Sequence, residues 1–280
     1  MKALLRREFQ KNRHMLLWQA LLLLGLPWFL LLCFQINRYA FFSAGERLLR
    51  AAPEVYALLG IPEGTDAGRF LFYELFPTLF LNVWVVFWLC LEAADILGRE
   101  ERSGSAYFIV NQWYNRARFC TAKYLWLLLR TASTYLVWFV NLFLVCCIGA
   151  ATAKQRAEAA GAVFGSLLLD IPAAVLLVSL CFYFSIRRDR PAKQSAADIL
   201  LPVLAGTFLL GNLPKLFDLL QKQGQGATPV RFLSILSPLS WMNPLVSHGA
   251  AFRILIPLIS VGAAVLLFGF SVKEYQKRTL

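Results

Sequence analysis

Charged residues are scarce in this sequence, so water is a poor solvent for the chain. Asp, Glu, Lys and Arg make up 16% of its 280 residues, whereas hydrophobic residues make up 59%. A water-soluble domain is usually about one quarter charged. The apolar residues form blocks of about 20, the length that crosses the hydrocarbon of a bilayer. No polar stretch between these blocks is long enough for a separate catalytic domain.

Patterns of catalytic and metal-binding residues are also lacking. The two histidines, His14 and His248, are far apart, and neither a His-Glu-x-x-His nor a Gly-x-Ser-x-Gly motif is present. The six cysteines lack metal-ligand spacing and lie mostly inside apolar blocks. A Gly-x-x-x-x-Gly-Lys-Ser/Thr loop is missing, so the chain cannot hydrolyse ATP in the P-loop manner. We therefore predict no catalytic residue, no metal site and no directly bound cofactor.

Lys and Arg are in excess, giving a formal net charge of +12. Such a charge is typical of nucleic-acid binding, but here the basic residues stand at the ends of apolar blocks rather than on an independent polar face. Charge that flanks membrane spans explains the excess better. We therefore predict the lipid bilayer, and not nucleic acid, as a partner.

The apolar runs predict an all-α membrane protein with six transmembrane helices in a single domain, residues 1–280. The fifth span has the weakest pattern, because Pro202, Gly206 and Gly211 fall within it. The predicted spans lie near residues 15–34, 70–93, 124–148, 160–186, 196–214 and 252–272.

The distribution of Lys and Arg predicts that both termini are cytoplasmic, since short loops rich in these residues stay inside the cell. In that orientation the inner segments hold 17 of the 28 basic residues and the outer segments hold 10, with Arg130 inside a span. The N-terminal residues 1–14 place Met1, Leu5 and Phe9 on one helical face. We expect them to form an interfacial elbow helix on anionic lipid.

The connection between spans two and three, residues 98–123, is the most informative part of the chain. Span two is prolonged there as a polar helix that Gly104 should end, since glycine commonly terminates helices. An aromatic-rich helix should follow along the inner membrane surface. Aromatic side chains flanked by Arg suit docking into a groove of a partner.

This connection resembles that of the permease subunits of bacterial type-2 ATP-binding-cassette exporters, which include antibiotic, lantibiotic and sodium exporters. In that family a coupling helix is formed by an acidic end of the second span, a Gly-Ser/Thr pair, an apolar stretch, a polar-Arg pair and a Lys that opens the third span. The family usually has a proline before the polar-Arg pair, where this chain has Trp113. The matching positions are Glu100, Glu101, Gly104, Ser105, residues 107–110, Asn115, Arg116 and Lys123.

The resemblance implies a permease in the bacterial plasma membrane that forms a homodimer or heterodimer above two separate ATPase subunits. ATP and magnesium would belong to those subunits, and the exported substrate would be an amphipathic peptide, an antibiotic or a lipid. It implies that the following residues couple the permease to the ATPase: Glu100, Glu101, Gly104, Tyr107, Phe108, Trp113 and Arg116.

Polar residues inside the spans are candidates for a translocation pathway, for a conformational latch, or for an ion pair that fixes helix register. Arg130 shares a stripe with Thr134 and Asn141, which should face other helices because a charge in the membrane is costly unless it is paired. The preferred partner of Arg130 is Asp170 in span four, and Glu92 at the inner end of span two is the competitor.

A self-contained secondary transporter or channel is the alternative function. Such proteins commonly show internally repeated halves or strongly interrupted helices. The sequence contains no convincing repeat, so the exporter subunit is the preferred interpretation.

Overall fold

The computed structural model describes residues 2–36, 47, 82–112, 115–149, 153–187, 196–221, 236–242 and 250–277. These ranges contain helices and no strand. We number the helices in chain order. They are α1 (Lys2–Ile36), α2 (Asn82–Arg102), α3 (Ser105–Gln112), α4 (Arg116–Gly149), α5 (Ala153–Arg187), α6 (Ala197–Gln221), α7 (Pro238–Trp241) and α8 (Ala250–Lys277).

Three of the described helices are long and apolar enough to cross a membrane. They are the segments Arg116–Val145, Val163–Arg187 and Phe252–Lys277 of α4, α5 and α8. These segments overlap the predicted spans three, four and six, so the all-α, membrane-type fold is confirmed at this level. A shorter apolar helix, Ala197–Gly211, falls within predicted span five. Of predicted span two, residues 82–93 begin α2 and residues 70–81 lie outside the described part of the chain.

The first helix differs from the prediction. Residues 2–14 and the first predicted span form one continuous helix, α1, instead of an elbow helix followed by a span. The physical reason is local, because no Gly or Pro occurs before Gly25 and the change from charged to apolar residues does not interrupt helical hydrogen bonding. At 1.5 Å per residue, 35 residues extend about 52 Å, whereas the hydrocarbon core is about 30 Å thick. α1 is therefore longer than a membrane crossing requires, and its charged residues lie in its N-terminal part.

The helices gather around α5, which packs against α8, α2 and α4, while α1 packs against α4. Aromatic contacts fix their directions. Tyr124 near the start of α4 lies 5.4 Å from Phe182 near the end of α5, and Phe119 stacks on Tyr275 near the end of α8 at 6.1 Å between ring centroids. Since the start of α4 meets the ends of α5 and α8, α4 is antiparallel to both.

Most charged contacts among the described residues lie at one end of the bundle, which we call the charged end. The beginnings of α1 and α4 meet there with the ends of α2 and α8, as shown by the contacts of Lys11 with Glu100 and of Arg116 with the Gln276 carbonyl. The N-terminal and C-terminal helices therefore reach the same end of the bundle. An even number of membrane crossings would place them in this way.

The outer surface of the bundle is strongly apolar. Large hydrophobic side chains on α1, α4 and α8 are exposed, and those on α8 include Ile254, Leu258, Val265 and Leu266. Contiguous exposed apolar surface of this extent is unfavourable in water and favourable against lipid chains. The apolar outer surface and the lengths of the helices thus both support a lipid environment.

Candidate coupling site and polar contacts within the bundle

The end of α2 is built as the sequence predicted. Gly104 adopts a positive φ of 70°, a left-handed conformation that glycine reaches without a steric penalty. Its N–H donates to the carbonyl of Glu101 at 3.1 Å, and the N–H of Ser103 donates to that of Arg99 at 3.2 Å. These bonds satisfy carbonyls at the end of α2, and α3 begins at the next residue. The sharp turn sets the direction of the predicted coupling helix.

Two serines attach this turn to Glu100. The Ser103 hydroxyl donates to the Glu100 carbonyl at 3.1 Å. The Ser105 hydroxyl, at the start of α3, donates to the carboxylate of Glu100. The first turn of α3 is consequently tied to a side chain of the preceding helix.

Glu100 is the centre of a buried ionic network. Its carboxylate accepts from Lys11 Nζ at 2.6 Å and pairs with Lys123 Nζ at 3.1 Å, with Arg7 further away at 3.5 Å. Lys123 also donates to Glu8 Oε1 at 2.6 Å. We call Arg7, Glu8, Lys11, Glu100 and Lys123 the Glu100 cluster. It joins α1, α2 and α4, and it reaches α3 through Ser105.

The cluster keeps Glu100 ionised although its side chain is only 1% exposed. Burial alone would raise the pKa of this carboxyl. The positive charge of Lys123 and hydrogen bonds from Lys11 and Ser105 act in the opposite direction and lower the pKa to about 2. Glu100 therefore remains a carboxylate at every physiological pH, and the network is fixed rather than pH-switched near neutrality.

The short helix α3 has a buried side and an exposed side. Ala106 and Ile109 are buried against the bundle, whereas Tyr107 is 60% exposed. An aromatic ring presented in this way, beside a firmly anchored helix start, is available to a partner. Phe108 belongs to α3, and Trp113 lies outside the described residues.

The remaining predicted coupling residues flank α3. Glu101 lies in the last turn of α2 and is half-buried. Arg116 begins α4 and donates through Nη1 to the Gln276 carbonyl at 3.4 Å, which connects the end of the predicted coupling region to α8. The predicted coupling residues that the structure describes thus lie together at the charged end.

Inside the bundle, Arg130 pairs with Glu92, and the preferred pairing with Asp170 is wrong. The side chains of Arg130 and Glu92 are 0% and 3% exposed and form a direct ion pair. Arg130 also donates to Gln19 Oε1 at 3.0 Å, and Trp126 Nε1 donates to Glu92 at 3.4 Å. Asp170 is buried on α5. Arg130 is turned toward α1 and α2 instead, and helix rotation of this kind cannot be derived from approximate span boundaries.

The predicted polar stripe of α4 faces α1, which confirms that it faces another helix. Asn141 donates to the Leu23 carbonyl at 2.7 Å and accepts from Trp28 Nε1 at 2.7 Å. Pro27 has no N–H, so the Leu23 carbonyl four residues earlier lacks its helical donor, and the Asn141 amide supplies one. The side-chain amide of Gln19 donates through Nε2 to the hydroxyl of Thr134, in the same stripe, at 3.5 Å. Because residues 8, 19 and 23 meet residues 123, 130 and 141 in order, α1 and α4 run parallel.

Sequence reasoning missed the contribution of α1 to this site. Glu8 and Lys11 belong to the Glu100 cluster, and Gln19 completes the contacts of Arg130. One signal was present, because Glu8 is the single acidic residue in a strongly basic N-terminal segment. A lone acid of this kind indicates a specific cationic partner rather than a surface that binds anionic lipid throughout.

Comparison of the chain with protein-family models, curated proteins and solved structures gave no match. Within the described helices, no three His, Cys, Asp or Glu side chains come together as metal ligands would. The functional interpretation therefore depends on the contacts at the charged end and on the sequence resemblance.

Proposed function

We propose that this chain is the membrane-spanning permease subunit of an ATP-binding-cassette exporter, with six transmembrane helices and a separate ATPase subunit in the cytoplasm. The observation that supports it most is the Glu100 cluster. It anchors the start of α3 to three other helices at one point, while Tyr107 on α3 stays exposed. An exposed helix that is firmly joined to several spans is suited to receive a movement and pass it on.

The contacts provide a route for that movement. A displacement of α3 pulls on Ser105 and hence on Glu100, whose carboxylate is bound by Lys123 at the start of α4 and by Lys11 on α1. Further along the same helices, α4 is attached to α1 and α2 by Arg130. A chain of packed, hydrogen-bonded groups can couple distant parts of a protein when it has two arrangements. In this proposal, ATP-driven closure of the ATPase subunits selects between them.

The charged end faces the cytoplasm in this proposal, and both termini lie there. Basic residues are more numerous in the segments that reach this end, which agrees with the rule that Lys and Arg remain inside. ATP is available on the same side. A second permease subunit, identical or related, completes the pathway, and the substrate is an amphipathic peptide, an antibiotic or a lipid.

Purification of the tagged chain from its native host in mild detergent tests the proposal. We expect a soluble subunit with a P-loop to co-purify and to hydrolyse ATP with a magnesium requirement. Tyr107→Ala should reduce both the amount of this subunit and the ATPase activity several-fold. Trp84→Ala is the matched control, because Trp84 is also an aromatic residue, is 57% exposed and lies at the other end of α2.

Two results would contradict the proposal. One is a purified chain that transports or conducts without any nucleotide-hydrolysing subunit, which would favour the secondary transporter or channel. The other is an equal loss of ATPase subunit in the Tyr107 and Trp84 variants, because α3 would then have no special part in the contact.

A further inference from the structure

The cationic side chains of α1 fall into two groups with different surroundings. Arg7 and Lys11 form ion pairs with Glu100. Glu8, the one acidic residue in the N-terminal part of α1, forms an ion pair with Lys123. Arg6 and Arg13 are exposed and contact no carboxylate among the described residues. These two guanidinium groups are therefore an uncompensated positive charge on the outside of the bundle.

Arg6 and Arg13 lie on the same face of α1 as an exposed apolar surface. Arg13 follows Arg6 by seven residues, Leu17 follows Arg13 by four, and Leu24 follows Leu17 by seven. These spacings place all four side chains on one side of the helix. Leu17 is 64% exposed, and the adjacent Trp18 is 69% exposed. Along this face the helix changes from cationic to apolar between Arg13 and Leu17, about 6 Å apart along the axis.

That change matches the inner boundary of a bilayer. The headgroup layer on each side is about 5–7 Å thick, so Arg13 reaches it when Leu17 lies at the edge of the hydrocarbon. Side chains on a helix lean toward its N-terminus, and Arg13 therefore leans away from the hydrocarbon into the headgroups. Trp18 suits the boundary itself, where an amphipathic ring has one side in lipid and one in water.

We infer that this face of α1 is a binding site for an anionic phospholipid. The headgroup phosphate binds the two terminal amino groups of the Arg13 guanidinium, whose Nε donates to His14 Nε2 at 3.4 Å. Arg6 lies about 10 Å further along the axis and adds weaker attraction, because the Debye length is about 8 Å. Leu17 and, further along the same face, Leu24 receive the acyl chains, which a soluble phosphate lacks. This inference does not depend on the proposed transport function.

Native mass spectrometry of the detergent-purified chain, titrated with phosphatidylglycerol, tests the inference. Arg6→Gln/Arg13→Gln should weaken phosphatidylglycerol binding about tenfold or more, because each basic residue near an anionic surface contributes measurably. The control is Lys154→Gln/Arg156→Gln, which removes the same charge from exposed residues at the beginning of α5, at the opposite end of the bundle. Parallel titrations use phosphatidylcholine and inorganic phosphate.

The expected result is a loss confined to the α1 variant, with weak phosphatidylcholine binding and no displacement by millimolar inorganic phosphate. The inference is overturned if both double variants lose affinity equally, if the α1 variant binds as the unsubstituted chain does, or if phosphatidylcholine binds as tightly. Displacement of the lipid by inorganic phosphate would also overturn it, since the site would then recognise phosphate without its acyl chains.

Discussion

Individual polar side chains hold the bundle together where water is excluded. Arg130 and Glu92 are the clearest case, since both are almost completely buried between helices. Removing one member of a buried ion pair leaves an uncompensated charge and costs about 3–5 kcal/mol, whereas removing both is often nearly neutral. The partner assignment can therefore be tested by comparing single and double variants.

The first prediction concerns this pair. Glu92→Gln and Arg130→Gln should each lower the free energy of unfolding by about 3 kcal/mol or more, and the double variant should lose clearly less than the sum. Reversible unfolding in mixed micelles measures this. Arg130→Gln combined with Asp170→Asn is the control, and its loss of unfolding free energy should equal the sum of the two single losses. Coupling between residues 130 and 170, with additivity between 92 and 130, would reverse the assignment.

The second prediction concerns Asn141. Asn141→Leu should lower the free energy of unfolding by about 1 kcal/mol, because the Leu23 carbonyl loses its donor beside Pro27 and interhelical hydrogen bonds in membrane proteins are usually worth about that much. Ser133→Ala is the control on the same helix, since the Ser133 hydroxyl donates to the Arg130 carbonyl of α4 itself. If the two variants lose equal stability, the contact with α1 is not what matters.

At the scale of helices, the Glu100 cluster determines where the N-terminal part of α1 lies. The segment is docked by these charges as well as by apolar contacts of Leu4 and Phe9, so part of its attachment depends on the ionisation of Glu100. The pKa of this carboxyl is about 2 in the folded chain and about 4.5 ordinarily. Because the folded value is the lower one, the stabilisation is present above the ordinary pKa and disappears as the pH falls through the folded value.

The third prediction follows from that shift. Between pH 5 and pH 2, the unsubstituted chain should lose up to about 3 kcal/mol more stability than Glu100→Gln, which has no carboxyl to protonate. Thermal unfolding in detergent across this pH range measures the difference. Glu274→Gln, which removes a partly exposed carboxylate paired with Lys277, should follow the unsubstituted chain. Parallel pH profiles for Glu100→Gln and the unsubstituted chain would contradict the role of the cluster.

Features set by local sequence could be predicted, and features set by helix rotation could not. The three long apolar helices and the end of α2 at Gly104 follow from composition and from the freedom of glycine. The partner of Arg130 depends on how α2, α4 and α5 are turned, which sequence periodicity leaves open. The predicted elbow before the first span is not confirmed for another reason, since a change from charged to apolar residues alters the surroundings of a helix without ending it.

At the scale of the whole molecule, the helix directions make topology testable. The start of α4 and the start of α5 lie at opposite ends of the bundle, because the two helices are antiparallel. Arg118 and Lys154 are exposed near those two starts. If the charged end is cytoplasmic, position 118 is accessible from inside the cell and position 154 from outside.

The fourth prediction uses these positions. In intact cells, Lys154→Cys should react with a membrane-impermeant thiol reagent and Arg118→Cys should react only after lysis. The unsubstituted chain supplies the background, to which Cys147 near the end of α4 contributes because it is partly exposed, whereas Cys90, Cys120 and Cys181 are buried. Labelling is therefore scored as the excess over this background. Labelling of position 118 alone in intact cells would invert the topology and place α3 out of reach of ATP.

Contact between α3 and an ATPase is the central claim, and site-specific photo-cross-linking tests it most directly. A photoreactive amino acid at position 107 should give, in native membranes, an adduct with a protein that contains a P-loop, and ATP should change its yield. The same amino acid at position 84, equally exposed at the other end of α2, should give none. No adduct with a P-loop protein at position 107, or equal adducts at both positions, would contradict the assignment of this chain as an exporter permease.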